Sequence, residues 1–308
     1  MSTVETDVGS DAQRKALPRH KQMLINSVAE VFLHDRRAVV GGILLLVMIF
    51  AAVVGPQLIP YDPHQPDPQN RFAAPSWSHW MGTDRAGRDL LARVVAGASI
   101  SFRVAFGAAL LALVIGAPLG AVTSYVGGIL DDVTQRFMDA IIAFPARLLA
   151  IVLIVLLGPS VVSLWFAIAF TSIPRYARII RASVLGQKET EYVEAAHAIG
   201  EGRLAILLLY IVPNVLPPMV VQVTLDFASA VTVEASLSFL GLGLVPPTIS
   251  WGGLLNDAQQ WLETAPWLAI FPGAALALTV LSFVLIGDAI RDYLDPRIRR
   301  IGARRLAG

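Results

Sequence analysis

Residues 191–213 read EYVEAAHAIGEGRLAILLLYIVP and form a polar stretch between two strongly apolar blocks. The stretch contains Glu194-Ala195-Ala196, breaks at Gly200-Glu201-Gly202 and closes at Pro213. Charged residues alternate with apolar ones on both sides of the break, which predicts two short amphipathic helices. At the membrane surface, a short polar helical segment of this kind favours contact with a soluble partner protein. An ordinary hairpin between two membrane helices is the alternative.

The composition predicts an integral membrane protein. Of 308 residues, 55% are hydrophobic and only 15% are charged, and the mean hydropathy is +0.63, well outside the range of soluble domains. The formal net charge of +1 gives no reason to expect a nucleic-acid partner. Cysteine is absent from the sequence, which excludes disulfides, thiolate metal sites and a cysteine nucleophile.

Six apolar segments predict membrane-spanning helices, since each approaches the roughly 20 residues that cross a bilayer. They lie at about 38–58, 98–124, 136–157, 160–180, 212–236 and 264–287. The third and fourth are separated only by Gly158-Pro159-Ser160, where proline must break a helix. We therefore expect an all-α membrane protein with an N-terminal tail (1–37), a six-helix domain (38–290) and a C-terminal tail (291–308). An outer segment (59–97) and a loop (186–210) connect its helices.

Lysine and arginine in the connections predict the orientation, because they accumulate on the cytosolic side. The two tails and the stretch 174–203 are rich in them, so both termini are expected in the cytosol. The loop 241–263 has neither residue and is expected outside. The outer segment is the exception, because it contains Arg71, Arg85, Arg88 and Arg93.

The outer segment is rich in proline and contains Trp77 and Trp80, which suit the headgroup layer. Its glycines permit a tight backbone, and Thr83 or Asp84 could cap a helix that starts near Gly87. The segment is either a structured lid over the first two helices or a docking surface for an extracellular partner. The candidate contact residues for such a partner are Gly82, Thr83, Asp84, Gly87, Arg88 and Asp89.

Four polar residues within apolar segments are candidates for lining a passage, because charges in hydrocarbon are costly. Arg147 lies near mid-membrane in this topology, where it lines the passage or pairs with Asp139, Asp226 or Glu234. Gln222 and Asp226 are spaced i,i+4 and share a helix face, which we expect to turn away from lipid. Glu234 lies near the outer end of the same helix.

Two other classes of membrane protein fit the sequence less well. An ion-coupled secondary transporter is expected to show broken helices with buried ion ligands in repeated halves, a pattern that is not evident here. An intramembrane hydrolase needs a nucleophile and a base, but Gly-x-Ser-x-Gly is absent and all five histidines fall in tails or loops. The sequence also lacks the phosphate-binding G-x-x-x-x-G-K-[ST].

Several motifs together resemble one family. Glu194-Ala195-Ala196, Gly200 and Pro213 have the spacing of the EAA loop of ABC-importer permeases. The chain resembles the C-type permease subunit of dipeptide, oligopeptide and nickel importers over roughly residues 25–300. Further matching stretches are Gly82–Asp89, Ala143-Phe144-Pro145, Glu191–Ala196, Val212–Pro218, Leu237–Gly243, Pro246-Pro247 with Trp251-Gly252, and Leu294–Arg297. Tyr210, Val212 and Arg147 depart from the usual pattern.

This resemblance implies a type I ABC-importer permease with a cytosolic EAA coupling helix, in the cytoplasmic membrane of a prokaryote. It implies a second homologous permease, two cytosolic ATPase subunits and an extracytoplasmic substrate-binding protein as partners. The chain itself would be non-catalytic and hold no metal, with ATP and Mg bound by the ATPases. Peptides are the expected cargo, and nickel, haem or another small solute is the alternative. The implied coupling residues are Glu191, Tyr192, Glu194, Ala195, Ala196, Gly200 and Pro213.

Overall fold

The computed structural model describes residues 35–294, and these residues are mainly helical. The principal helices are α1 (Arg36–Val53), α2 (Leu90–Val126), α3 (Gly128–Ala143), α4 (Ala146–Leu157), α5 (Val161–Lys188), α6 (Glu191–Ala198), α7 (Val212–Phe239), α8 (Trp251–Ala258) and α9 (Trp267–Leu294). Shorter turns occur at Gly55–Leu58, Pro68–Asn70 and Gln259–Trp261. A helical turn at Arg203–Ala205 and a π-helical segment at Ile206–Ile211 lead directly into α7.

Four helices in the described part of the chain are long and apolar enough to cross a membrane. They are α1, α2, the continuous run Arg203–Phe239 that ends as α7, and α9. The predicted span 136–157 is two helices in the structure, because α3 and α4 meet at Phe144-Pro145 with a bend of 91°. Counting this bent pair as one span raises the number to five. The number six remains a prediction, because the second half of α5 carries four basic residues.

Side-chain caps set several helix starts, because the first turn of a helix leaves backbone N–H groups without partners. Asp35 caps α1 and Ser160 caps α5, each accepting a hydrogen bond from a nearby backbone N–H. Asp89 caps α2 by accepting from the Ala92 N–H at 2.8 Å. The predicted cap at Thr83 or Asp84 is therefore wrong, and the helix begins at Leu90 rather than near Gly87.

The tightest packing joins α2 to α5, where small residues let the two backbones approach closely. A Cβ added at Gly116 would lie 2.7 Å from the Tyr176 Cβ, and one added at Gly120 would lie 2.4 Å from the Ala177 carbonyl oxygen. Tyr176 and Ala177 are fully buried. Around this pair, α9 packs against α1 and α7.

Ion pairs fix α3 across the basic end of α5. The Arg181 guanidinium contacts the buried Asp131 carboxylate at 2.8–2.9 Å. Arg178 pairs with Asp139, eight positions further along α3. These acids would be costly beside hydrocarbon without a partner, so pairing explains why α3 lies against this part of α5.

Candidate functional site

The short helix α6 has one anchored face and one exposed face. Val193 and Ala196 are 1% and 2% exposed, and they pack in a cluster that includes Ile180 of α5 and Ile211. Glu191, Tyr192, Glu194 and Ala195 face outward. The two adjacent alanines therefore differ in role: Ala196 holds the helix against its own chain, and Ala195 is available to a partner. The resemblance implies that both alanines are coupling residues, but in this structure Ala196 is buried against its own chain.

Gly200 ends α6 in a left-handed conformation, with φ of +82°. Its N–H donates to the His197 carbonyl at 3.0 Å, and the next N–H, from Glu201, donates to the Ala196 carbonyl at 3.1 Å. This backbone path is easy for glycine and strained for residues with a Cβ. An added Cβ would meet nothing within 4 Å, so the requirement for glycine here concerns the backbone alone.

Polar contacts tie α6 to the start of α7. Tyr192 donates its hydroxyl to Gln187, and Asn214 donates its amide to the Tyr192 hydroxyl at 3.2 Å and to the Tyr210 carbonyl at 2.7 Å. Pro213 lies where the π-helical segment passes into α7, and its missing N–H removes one backbone hydrogen bond at that junction. We define the coupling surface as the exposed residues of α6 together with Gly200.

Lys188, the last residue of α5, ties the coupling surface to α2. Its ammonium donates to the carbonyls of Ser124 at 3.2 Å and Tyr125 at 2.9 Å. These carbonyls belong to the last turn of α2, where they lack helical partners and where the helix dipole favours a cation. The ends of α2 and α5 are thus joined immediately before α6 begins.

The candidate residues of the outer segment form a compact loop. The Asp84 carboxylate accepts from the backbone N–H groups of Ala86 at 2.8 Å and Arg88 at 3.0 Å, and it pairs with the Arg88 side chain at 2.7 Å. Thr83 is fully buried and hydrogen-bonds to Asn70 and Ala73. The Asp89 carboxylate contacts His79 at 2.9 Å.

Burial corrects the proposed role of this loop. Gly82, Thr83, Asp84, Gly87 and Asp89 are all buried within the described chain, so in this structure they shape the loop and offer no surface to a partner. Arg88 is partly exposed.

An arginine joins the outer segment to the far part of the chain. Arg93 of α2 lies 3.4 Å from the Asp84 carboxylate and 3.8 Å from that of Asp257 in α8. The segment and α8 are therefore held over the same end of α2. The lid over the first two helices stays a prediction.

Three of the four passage candidates are buried inside the chain. The Asp226 carboxylate is 1% exposed, pairs with Arg175 at 2.7 Å and accepts from Gln222 at 3.0 Å. Glu234 is fully buried and accepts from Ser101 at 3.0 Å and from Ser238 at 2.8 Å.

The assignment of Gln222, Asp226 and Glu234 to a passage wall stays a prediction, and in this structure their side chains hold helices together. The physical reason is that buried carboxylates need hydrogen-bond partners, and α2, α5 and α7 itself supply them. The i,i+4 face of Gln222 and Asp226 turns toward α5, where Arg175 contacts Asp226.

Arg147 is the exposed member of the four, at the start of α4 beside the bend. It forms no ion pair with any of residues 35–294. Asp139 and Asp226 pair with other arginines and Glu234 bonds to serines, so the expected pairing of Arg147 with one of them is not found. The sequence analysis did not identify the arginines that recur every three residues along α5 as ion-pair partners of acidic residues. The spacing of Arg175, Arg178 and Arg181 was the available signal.

No group of three or more His, Cys, Asp or Glu side chains within residues 35–294 could hold a metal ion.

Comparison with protein families gives two matches. Residues 112–300 match the family described as the binding-protein-dependent transport system inner membrane component. Residues 25–75 match the N-terminal transmembrane domain of oligopeptide transport permease C.

Curated relatives are similar over most of their length. A dipeptide transport system permease protein DppC from Alkalihalophilus pseudofirmus is 40% identical over 86% of this chain and 87% of its own length. A di/tripeptide transport system permease protein DppC from Pseudomonas aeruginosa is 36% identical, over 87% of this chain and 90% of its own length. The dipeptide transport system permease protein DppC of Haemophilus influenzae is 37% identical, over 87% and 93%.

Among solved structures, a chain of the MetNI methionine ABC transporter in an inward-facing conformation superposes with a TM-score of 0.54. The superposition covers 66% of this chain and 97% of the other, at 20% sequence identity. At that identity the likeness shows a shared fold.

Proposed function

Because this chain belongs to the inner membrane components of binding-protein-dependent transport systems, we propose that it is the peptide-translocating permease subunit of an ATP-driven ABC importer. It is an integral protein of a prokaryotic cytoplasmic membrane with the type I permease fold. The coupling part of this proposal rests on the two faces of α6, one packed against its own chain and the other exposed. A helix held by Val193 and Ala196 can transmit force through its outward face.

Peptides are the proposed cargo because the three relatives are named for dipeptides or di/tripeptides. Importers of the same machinery for nickel, haem or another small solute are the competing assignment. A binding assay on the cognate extracytoplasmic binding protein, with dipeptides, longer peptides, nickel and haem, separates them. Selective binding of peptides supports the assignment, and selective binding of nickel or haem refutes it.

The proposed complex contains this chain, a second homologous permease, two cytosolic ATPases and the extracytoplasmic binding protein. In the proposed topology, which has six spans and both termini in the cytosol, the coupling surface lies on the ATPase side. The basic residues of 174–203 support this orientation. ATP and Mg would be held by the ATPases, so this chain needs no cofactor of its own.

In the proposed mechanism each ATPase grips one coupling helix in a surface cleft. When two ATPases close on ATP, α6 moves with them and carries the joined ends of α5 and α2. The membrane helices then tilt as rigid bodies between one state open to the cytosol and one open to the outside. ATP binding stabilises one of these states more than the other, because the contacts between the ATPases differ between them.

Because the sequence has no cysteine, each introduced cysteine is unique in this chain, which allows a direct test of docking. Ala195→Cys on the exposed face of α6 should form a disulfide or a short bifunctional cross-link with a cysteine placed in the ATPase cleft. Ala196→Cys is the matched control, since this position is only 2% exposed and should not react. Equal cross-linking at both positions, or none at Ala195→Cys in an active complex, contradicts docking through this face.

Transport by vesicles that contain the complete complex tests the energy source. Uptake of peptide should require internal ATP and the binding protein. Uptake that follows an ion gradient without ATP would instead identify a secondary transporter.

A further inference from the structure

A long apolar groove runs between α1 and α2. Its volume is about 1160 Å³, and Leu45 of α1 and Leu110 of α2 lie on its walls. Three stacked aromatic rings from α2, α7 and α9 also line it, with centroid distances of 5.6 Å between Phe106 and Phe227 and 5.2 Å between Phe227 and Phe283. All four of these helices have the length and hydropathy of membrane spans, so the groove lies at hydrocarbon depth.

One cation lies in this apolar lining. Arg103 of α2 is exposed and pairs with no acid among residues 35–294. Its backbone carbonyl accepts from the Trp165 indole at 3.1 Å, which holds that ring on the groove wall. An unpaired cation at the edge of hydrocarbon is costly, so an anionic group is expected to meet it.

The depth of Arg103 follows from its neighbours. Ser99 of α2 donates its hydroxyl to the Ala52 carbonyl, so Ser99 lies level with the last turn of α1, which ends at Val53. Arg103 is one helical turn, about 6 Å, further along α2. An arginine side chain spans such a distance by snorkelling, which brings its guanidinium to the headgroup level on the side of the outer segment.

We propose that this groove binds a membrane phospholipid, with an acyl chain along the aromatic lining and the phosphate on Arg103. From Ser99 to Val114 the groove extends about 22 Å along α2, enough for the half of the roughly 30 Å core that one leaflet fills. Guanidinium and phosphate form strong paired hydrogen bonds. Apart from Ser99, Arg103 and the Trp165 indole N–H, which is already bonded to a backbone carbonyl, the lining has no polar side-chain group, so the amide groups of a peptide would find few partners there.

Retention of lipid by the purified complete complex tests this site. Native mass spectrometry after supplementation with phosphatidylglycerol should detect bound lipid, and Arg103→Gln should retain it about tenfold less well. Arg147→Gln is the matched control, because Arg147 is also an exposed cation without an ion pair but does not line the groove. Leu110→Trp, which fills the groove and keeps Arg103, should also lose the lipid. Equal losses in Arg103→Gln and Arg147→Gln would overturn the site.

Trp165 supplies a second readout. In vesicles containing the complex, the fluorescence of Trp165 is obtained by subtracting the emission of the Trp165→Phe variant from that of the wild type. Phosphatidylglycerol with brominated acyl chains should quench this signal more than a brominated glycolipid without phosphate, and Arg103→Gln should abolish the difference. The absence of quenching would show that another protein chain covers the groove, and a response to added peptide would assign the groove to the passage. Either result refutes lipid binding and leaves the importer proposal intact, because neither readout depends on transport.

Discussion

The left-handed turn at Gly200 ends α6, the helix that we propose binds the ATPase. Replacing this glycine with valine forces a β-branched residue into a φ of +82°. A left-handed conformation costs an ordinary residue about 1–2 kcal/mol, which reduces the population of the native end of α6 by roughly 5- to 30-fold. No steric clash adds to this cost, since an added Cβ meets nothing within 4 Å.

The measurement is the ratio of peptide taken up to ATP hydrolysed, in vesicles that contain the complete importer. We expect Gly200→Val to lower this ratio while the protein still inserts in the membrane. Gly202→Val is the matched control, because Gly202 has a φ of −67° and equally open surroundings, so valine fits there. Gly200→Asn should be mild, because asparagine tolerates the left-handed region. Equal effects of valine at positions 200 and 202 would refute the reasoning.

Three further predictions concern charge and capping. Glu194→Lys, which reverses an exposed charge on α6, should uncouple ATP hydrolysis from uptake without changing thermal stability; normal uptake would argue against docking there. Arg175→Met should destabilise the protein in detergent unfolding by about 1–3 kcal/mol, because it removes the half-exposed cation of the buried Asp226 and leaves that carboxylate with the Gln222 amide. Adding Asp226→Leu should recover most of the loss; no recovery would mean that the pair does not act as a unit. Asp89→Ala should lower unfolding stability by about 1 kcal/mol through loss of the α2 cap, whereas Thr83→Ala at the rejected cap position should leave the start of α2 intact in amide hydrogen exchange.

Hydropathy was sufficient to locate the principal apolar helices and the polar island around α6. The predicted spans 98–124 and 212–236 lie within the observed helical runs Leu90–Val126 and Arg203–Phe239. The sequence analysis missed the bend at Phe144-Pro145 because residues on both sides of it are apolar. Hydropathy averaged over a window of residues therefore shows a single apolar segment there. Pro145 itself carried the signal, since the residue before a proline avoids the helical region.

The environment of the polar membrane residues could not be read from the sequence. Spacing showed that Gln222 and Asp226 share a face, but Arg175, which decides where that face points, is 51 positions away from Asp226. The division between Ala195 and Ala196 was equally hidden, because it depends on contacts of α6 with Ile180 and Ile211. Tertiary contacts between distant segments settle such questions, and composition does not encode them.

The close packing of α2 on α5 has a mechanical consequence. Backbones that approach as closely as Gly120 and Ala177 interlock, so the two helices resist sliding and would move as one beam. α2 alone is about 55 Å long, and at its far end Arg93 holds both the outer segment and α8. A push applied next to Lys188 would therefore travel along α2 toward the end that Arg93 holds, and Pro118, which removes a backbone hydrogen bond within α2, is the point where the helix bends most easily. A movement at one end of α2 would then be transmitted to the other end.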